Sequence, residues 1–316
     1  MKIAILEEKT VTNDSEVSFD GIRALGECVC YPLTPQEKLL EHLGDAEAAI
    51  INKTVFTREI IGKCPHLKYI GLCATGYNNV DTAAAAEAGI TVTNCPAYST
   101  DAVAQQVFAY ILHFMNRTAQ YDRDVHDGGW VRSDTFSYFP FPTYELAGMK
   151  LGIIGYGSIG KRVADIALAF GMEVFVSTRT PQKDDRVQFI GTDDIFSVCD
   201  IITLHCPLTP ETKELVNMAR LSRCRKNAII INTSRGGAVN EYALASALHD
   251  HIIAGAAVDV ISEEPMKADN PLLTAPNCVI TPHISWAPLQ TRKRLLKIAE
   301  DNLRAYINGS PVNKVN

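Results

Sequence analysis

The stretch Lys150-Leu-Gly-Ile-Ile154-Gly155-Tyr-Gly157-Ser158-Ile159-Gly160 decides the fold. Its first five residues are a short apolar run suited to a strand buried on both faces. Behind the glycines, Ile159, Val163, Ile166, Ala167 and Phe170 recur at helical spacing, and Gly171 stands where a helix ends in a left-handed conformation. A second strand, Glu173 to Ser177, follows at once. In such a unit the first glycine permits a tight turn, the second lets backbone approach a pyrophosphate, and the third lets helix pack on strand. The N-H groups and dipole of the helix N-terminus hold the anion. A bare GxGxxG also occurs in purely structural turns; the flanking strand, helix and second strand make a dinucleotide the expected ligand.

With 316 residues, of which 47% are apolar, the chain suits two domains better than one. A net charge of -6 without a basic run leaves no footprint for nucleic acid. The apolar start, Met1 to Leu6, is too short for a signal peptide, and no stretch is long enough to cross a membrane. Nine scattered cysteines, with no CxxC pair and no His/Cys ligand array, fit a reduced cytoplasmic protein without a metal site.

From residue 1 to about 98, Ile3 to Leu6, Cys28 to Tyr31, Ala49 to Ile51, Tyr69 to Cys73 and Thr91 to Thr93 are expected strands, separated by helical segments such as Pro35 to Leu43 and Asp81 to Ala88. This is a second parallel α/β unit, and it has no phosphate loop. Ser99-Thr-Asp101 then offers N-caps to a long helix in which Val103, Val107, Ile111 and Met115 repeat every fourth residue, so a hinge is expected near 96 to 101. Gly128 to Pro142, with Trp130, Phe136, Tyr138, Phe139 and Phe141, has no period and fits a self-packed loop or an oligomer contact. Strands at Ile201 to Leu204, Ala228 to Ile231, Ala254 to Val258 and Cys278 to Thr281 bring the nucleotide unit to six. A closing helix, Gln290 to Asn308, can return to the first unit. The expected domains are 1–98 with 286–316, and 99–285.

Ligands of open parallel sheets sit beyond the carboxyl ends of the strands. Three strands end on reactive groups: Arg235 after the strand ending at Ile231, Glu264 after the strand ending at Val258, and His283 after the strand ending at Thr281. Singly, each suits a surface ion pair, a solvated acid or a satisfied histidine. Together they suit proton transfer next to a bound carboxylate, because histidine donates protons near neutral pH, a carboxylate fixes its ring, and arginine binds carboxylates bidentately.

At this level the sequence resembles the D-isomer-specific 2-hydroxyacid dehydrogenase family over essentially its whole length. The matching motifs are Glu145-Leu-Ala-Gly148, the glycine loop, His205-Cys-Pro-Leu-Thr-Pro-Glu-Thr212, Asn232-Thr-Ser-Arg-Gly236, Asp259-Val-Ile-Ser-Glu-Glu-Pro265 and Thr281-Pro-His-Ile284. Ala74-Thr-Gly-Tyr-Asn78, Pro96-Ala-Tyr-Ser-Thr100 and His283-Ile-Ser-Trp-Ala-Pro288 are most similar to its glycerate dehydrogenase (hydroxypyruvate reductase) group. The resemblance implies a Rossmann cofactor domain and a flavodoxin-like substrate domain, both doubly wound. It also implies hydride transfer between a nicotinamide cofactor and a small D-2-hydroxy or 2-keto acid; a homodimer is expected. By position, Arg235 would bind the substrate carboxylate, His283 move the proton, Glu264 orient His283, and Thr75 and Gly76 offer backbone N-H groups. Gly155, Gly157, Ser158, Ile159, Gly160, Thr212, Thr233 and Asp259 would contact the cofactor, with Cys206 a small apolar residue of the adenine pocket.

NAD-preferring members carry an acid at the end of the second nucleotide strand, whereas this chain reads Ser177-Thr178-Arg179-Thr180. Thr178 with Arg179 facing a 2'-phosphate favours NADP, with NAD possible. Asn52 and Lys53, beyond Ile51, are expected to give polar walls to a substrate such as hydroxypyruvate or glyoxylate. Trp286 suits core, interface and substrate wall equally. The alternative function is a nicotinamide-sensing corepressor-like binding protein on the same fold; a formate dehydrogenase is disfavoured, since that group has Gln at the position of Glu264.

Overall fold

Short runs of two to five residues, most of them apolar and too short for helices, build two all-parallel sheets in the computed structural model, which describes residues 1–12, 16–180 and 182–316. The chain divides into two units, Met1–Ser99 with Trp286–Asn316, and Thr100–Ser285.

In the first unit β1 (Lys2–Ile5), β2 (Glu27–Cys30), β3 (Ala48–Ile51), β4 (Tyr69–Leu72) and β5 (Thr91–Thr93) lie in the order β2-β1-β3-β4-β5. The central strands are buried throughout because helices cover both faces. Leu39, Leu43, Ile61 and Ala85 pack on one face, Phe19, Ile22, Leu295 and Leu303 on the other. Each such fully buried aliphatic side chain contributes roughly 1.5–3 kcal/mol. Two short helices start on side-chain caps: Thr57 accepts from the Ile60 N-H at 3.3 Å and Asp81 from the Ala84 N-H at 2.8 Å. The closing helix, Leu289–Ile307, supplies Leu295, Leu296, Ala299 and Leu303 to this core. The last residues are tied to β5, with the Val315 N-H donating to Val92 O at 2.9 Å.

The second unit holds β6 (Lys150–Ile154), β7 (Glu173–Ser177), β8 (Gln188–Phe189), β9 (Ile201–Leu204), β10 (Ile229–Asn232), β11 (Gly255–Val258) and β12 (Cys278–Ile280), in the order β12-β11-β10-β9-β6-β7-β8. The sequence suggested six strands here; β8 is the seventh. It is only two residues long, held to β7 by Phe175 opposite Gln188 and Val176 opposite Phe189, so it leaves no periodic signal. Helix Thr100–Asn116 packs against helix Ser158–Ala169 through Ala104, Val107, Ile111, Val163 and Ala167. Helix Thr118–His126 was not expected; it is mostly polar and buries no residue.

Candidate active site

Strand order reverses between β6 and β9, and the glycine loop lies at that switch point. Gly155 adopts φ +99°, and a Cβ there would stand 2.6 Å from the His205 carbonyl, so both conformation and space require glycine. Helix Ser158–Ala169 starts from an extended Gly157 with no side-chain cap, leaving its first N-H groups for a ligand. The Thr233 hydroxyl, at the end of β10, is buried with no hydrogen-bond partner among the described residues. Uncapped amides and an orphaned buried hydroxyl fit a dinucleotide. His205, hydrogen-bonded to Thr203 at 3.0 Å, is pushed down to about 3 by burial and is therefore neutral. Cys206 is buried, which raises its thiol and keeps it protonated, in keeping with an apolar wall and not a nucleophile. Thr212 accepts from the Thr209 N-H at 2.7 Å and donates to Pro207 O at 2.6 Å, shaping the turn after β9.

Strand register aligns the carboxyl ends of β9, β10, β11 and β12, with Asn232 opposite both Leu204 and Val258, and Val258 opposite Ile280. Asn232 is fully buried; its Oδ1 accepts from the Ser234 N-H at 3.0 Å and the Ser234 hydroxyl at 2.9 Å, while its Nδ2 donates to Arg235 O at 2.9 Å. This side-chain turn holds the loop that presents the exposed Arg235. One strand over, Asp259 is 2% exposed and collects the segment around His283. Its Oδ1 accepts from Thr281 Oγ1 at 2.5 Å and the Ile284 N-H at 2.8 Å, its Oδ2 from the Ser285 N-H at 2.8 Å, and its carbonyl from the His283 N-H at 2.7 Å. Three of about four acceptor positions on this carboxylate therefore serve the loop. His283 sits in it at φ +55°, a conformation costing about 1 kcal/mol or more for a side chain with a Cβ.

The strain has a use. His283 Nδ1 lies 2.7 Å from Glu264 Oε2, with the two side chains 27% and 35% exposed. A carboxylate only accepts, so Nδ1 carries a hydrogen and Nε2 is left for a ligand. Glu264 itself rides on a loop that Glu241 fastens: its Oε1 accepts from the Ser262 N-H at 2.6 Å and the Ser262 hydroxyl at 2.7 Å, and its Oε2 from Asn270 Nδ2 at 2.7 Å. The same loop presses on the Arg235 loop so closely that a Cβ on Gly236 would lie 1.8 Å from the Ile261 carbonyl carbon. Asn232 stands in a matching motif without a role assigned to it, and Glu241 is not singled out in the sequence. The Asn-x-Ser spacing of a side-chain turn was a usable signal for the first; none pointed to the second.

Beyond β7, Thr178 is partly buried and Arg179 exposed. An acid does stand in this loop, Asp184, but it is engaged: Arg186 Nε and Nη2 meet it at 2.9 and 2.8 Å, and the Tyr156 hydroxyl donates to it at 2.8 Å. Those hydrogen bonds, Arg186 first, hold its carboxyl far below the usual range. Glu211 is also depressed, chiefly by Thr209, and Arg179 is among the charges acting on it.

In the first unit, Thr75 Oγ1 donates to Cys95 O at 2.8 Å and Asn94 Nδ2 to Thr75 O at 2.7 Å, fixing the loop after β4. Neither the Thr75 nor the Gly76 N-H is spent on a backbone carbonyl among the described residues. The loop after β3 is gathered by the buried Glu7, whose Oε2 accepts from the N-H groups of Asn52, Lys53 and Thr54 at 2.9, 2.8 and 2.8 Å. Asn52, expected in a substrate wall, is 6% exposed and its Nδ2 donates to Thr10 Oγ1 at 3.0 Å. Its side chain closes this loop; Lys53 is exposed. Trp286 packs into the core edge-on to Tyr98, with ring centroids 6.2 Å apart.

A dinucleotide cradle, a guanidinium and a carboxylate-paired imidazole on one sheet edge suit hydride transfer coupled to proton transfer, the chemistry of nicotinamide-dependent oxidoreductases. The chain belongs to the D-isomer-specific 2-hydroxyacid dehydrogenase family, whose NAD binding domain matches residues 108–285. It is 42% identical to a hydroxypyruvate reductase of Blautia hydrogenotrophica, with 100% of both chains covered. It is 40% identical to a glycerate dehydrogenase of Methylorubrum extorquens over 89% of each. Among solved structures, an NADPH-dependent glyoxylate/hydroxypyruvate reductase of Sinorhizobium meliloti superposes with a TM-score of 0.84 at 27% identity, covering 99% of this chain and 97% of that one. These relatives are reductases and dehydrogenases, which disfavours the corepressor alternative.

Proposed function

We propose that the protein reduces a short, polar 2-keto acid to its D-2-hydroxy acid, hydroxypyruvate first and glyoxylate second. The observation that carries this is the 2.7 Å His283–Glu264 pair beyond the same sheet that bears the glycine loop. Arg235 binds the carboxylate and polarises the keto oxygen, and Thr75 and Gly76 offer their N-H groups to the carboxylate. A reduced nicotinamide held there would supply the hydride for the keto carbon. His283, oriented by Glu264 through Nδ1, delivers a proton from Nε2 to the keto oxygen, so one hydride and one proton yield the hydroxy acid. Gly155, Gly157, Gly160, Ser158, Ile159 and Thr233 hold the dinucleotide, with Cys206 and Thr212 lining its pocket. Asp259 holds the His283 segment and has one acceptor position left for a carboxamide. In this reading residues 1–98 with 286–316 form the substrate domain and 99–285 the cofactor domain, and Lys53 keeps the polar-wall role.

NADP is placed ahead of NAD. Supporting this are the missing acid at Thr178, the nearby Arg179 cation, and an Asp184 already neutralised by Arg186. A homodimer is proposed through the aromatic loop, where Val131, Phe136 and Phe139 are 87%, 90% and 85% exposed although Trp130 Nε1 fastens the loop to itself and the Tyr121 hydroxyl fastens it to helix Thr118–His126. All nine cysteines are free, which suits the cytoplasm. Among the described residues no helix is long and apolar enough to cross a membrane, and no cluster of His, Cys, Asp and Glu is arranged to hold a metal. The test is a panel of 2-keto acids with NADH and NADPH, following nicotinamide oxidation. A preference for phenylpyruvate over hydroxypyruvate would overturn the assignment of substrate.

A further inference from the structure

Asp259 anchors the His283 segment through Thr281, Ile284 and Ser285, and the chain of hydrogen bonds does not end there. The hydroxyl of Tyr110, a 3% exposed residue of helix Thr100–Asn116, meets Thr281 Oγ1 in a short hydrogen bond. Its direction follows from chemistry. The Asp259 carboxylate only accepts, so the Thr281 hydrogen goes to Asp259 Oδ1 at 2.5 Å, and Tyr110 must be the donor to Thr281. Tyr110 O-H, Thr281 O-H and Asp259 thus form a one-way series, in which each donor polarises the next. The phenol stays protonated, since burial raises it further above neutrality, and Gln106 and Ser285 are its other polar neighbours. The series ends on the carboxylate that holds the Thr281 hydroxyl before His283 and the Ile284 and Ser285 N-H groups after it.

We propose that Tyr110 is a positioning residue for the proton-transfer step, acting on His283 through Thr281 and Asp259. The inference rests on the assignment of His283 as proton donor. Without the tyrosine hydroxyl, the Thr281 rotor is held at one end only, and the left-handed turn at His283 loses part of its support. The glycine loop has no part in the series, so the effect falls mainly on turnover, and any loss of cofactor affinity is confined to the carboxamide position that Asp259 keeps.

Tyr110→Phe keeps the ring and removes one buried donor, which corresponds to a loss of about 3- to 10-fold in kcat. KM for the keto acid and Kd for the cofactor should stay within about twofold. Thr281→Val should cost about 10- to 100-fold and Thr281→Ser, which keeps the hydroxyl, less than about threefold. The double variant Tyr110→Phe/Thr281→Val should match Thr281→Val alone, since both cut one series. Additive losses, an unchanged kcat in Tyr110→Phe, or losses shared equally by kcat and cofactor binding would overturn the proposal. A readout free of activity is hydrogen–deuterium exchange, expected to quicken across 281–285 in Tyr110→Phe and not across 150–154. If the wild type reduces no 2-keto acid, the proposed function fails on its own, and unchanged exchange across 281–285 then overturns this inference separately.

Discussion

Replacing Glu264 by Gln tests the core of the site with almost no change of shape. The 2.7 Å contact to His283 Nδ1 survives as a neutral hydrogen bond, but the carboxylate's negative charge beside the ring is gone. Hydrogen bonds to a charged partner are worth about 1.5–3 kcal/mol, against about 0.5–1.5 for neutral pairs. Because the two side chains are 27% and 35% exposed, water screens part of the difference, and a net loss of about 1–2 kcal/mol is the reasonable figure. At about 1.4 kcal/mol per tenfold, kcat for hydroxypyruvate should fall roughly 5- to 30-fold. Glu264 lies on the loop after β11 whereas the glycine loop follows β6, so cofactor affinity should hold. The assay is steady-state reduction with saturating NADPH, beside fluorescence titration of the cofactor and a thermal melt. A kcat within twofold of wild type, with the protein folded, would refute the role given to Glu264.

Removing the imidazole itself, in His283→Ala, should lower kcat by about 10²–10⁴-fold while cofactor titration stays normal; near-normal turnover would take His283 out of the mechanism. Arg179→Ala should weaken NADPH more than NADH, and Glu211→Gln, which relieves Arg179 of a nearby carboxylate, should do the reverse; equal changes for both cofactors would dispose of the 2'-phosphate contact. Phe136→Asp with Phe139→Asp should lower the molar mass measured by light scattering to that of a monomer, and an unaltered mass would clear the loop of a role in assembly. His205, depressed to about 3 by burial, binds its proton in the unfolded chain before the folded one. Its stability contribution is therefore full above about pH 6.5 and is lost as pH falls toward 3, by on the order of 2–4 kcal/mol. Urea midpoints of His205→Gln should fall less steeply over that window, and parallel curves would argue against it.

Local chemistry was legible in the sequence wherever it depended on near neighbours. The buried strand Lys150–Ile154, the glycine turn and the helix behind it follow from apolar period and from what glycine alone can adopt, so the nucleotide unit could be recognised. The strand-end rule then put Arg235, Glu264 and His283 on one edge, because parallel strands share a direction and their carboxyl ends align. The two-residue β8 and the solvent-facing helix Thr118–His126 stayed invisible, since neither carries enough buried residues to show a period.

Tertiary structure decided what each polar side chain spends its hydrogen bonds on. Asn52 and Lys53 stand side by side after β3, yet the distant Thr10 takes the Asn52 amide, and Glu7 gathers both backbones. Asp259 supports the His283 turn, Asp184 is consumed by Arg186, and Tyr110 reaches Thr281 across 171 positions of chain. Sequence determines which groups are available and which strand end carries them. Partner choice depends on distances between segments far apart in the chain, and at a desolvated site a shift of one ångström settles whether a donor is satisfied.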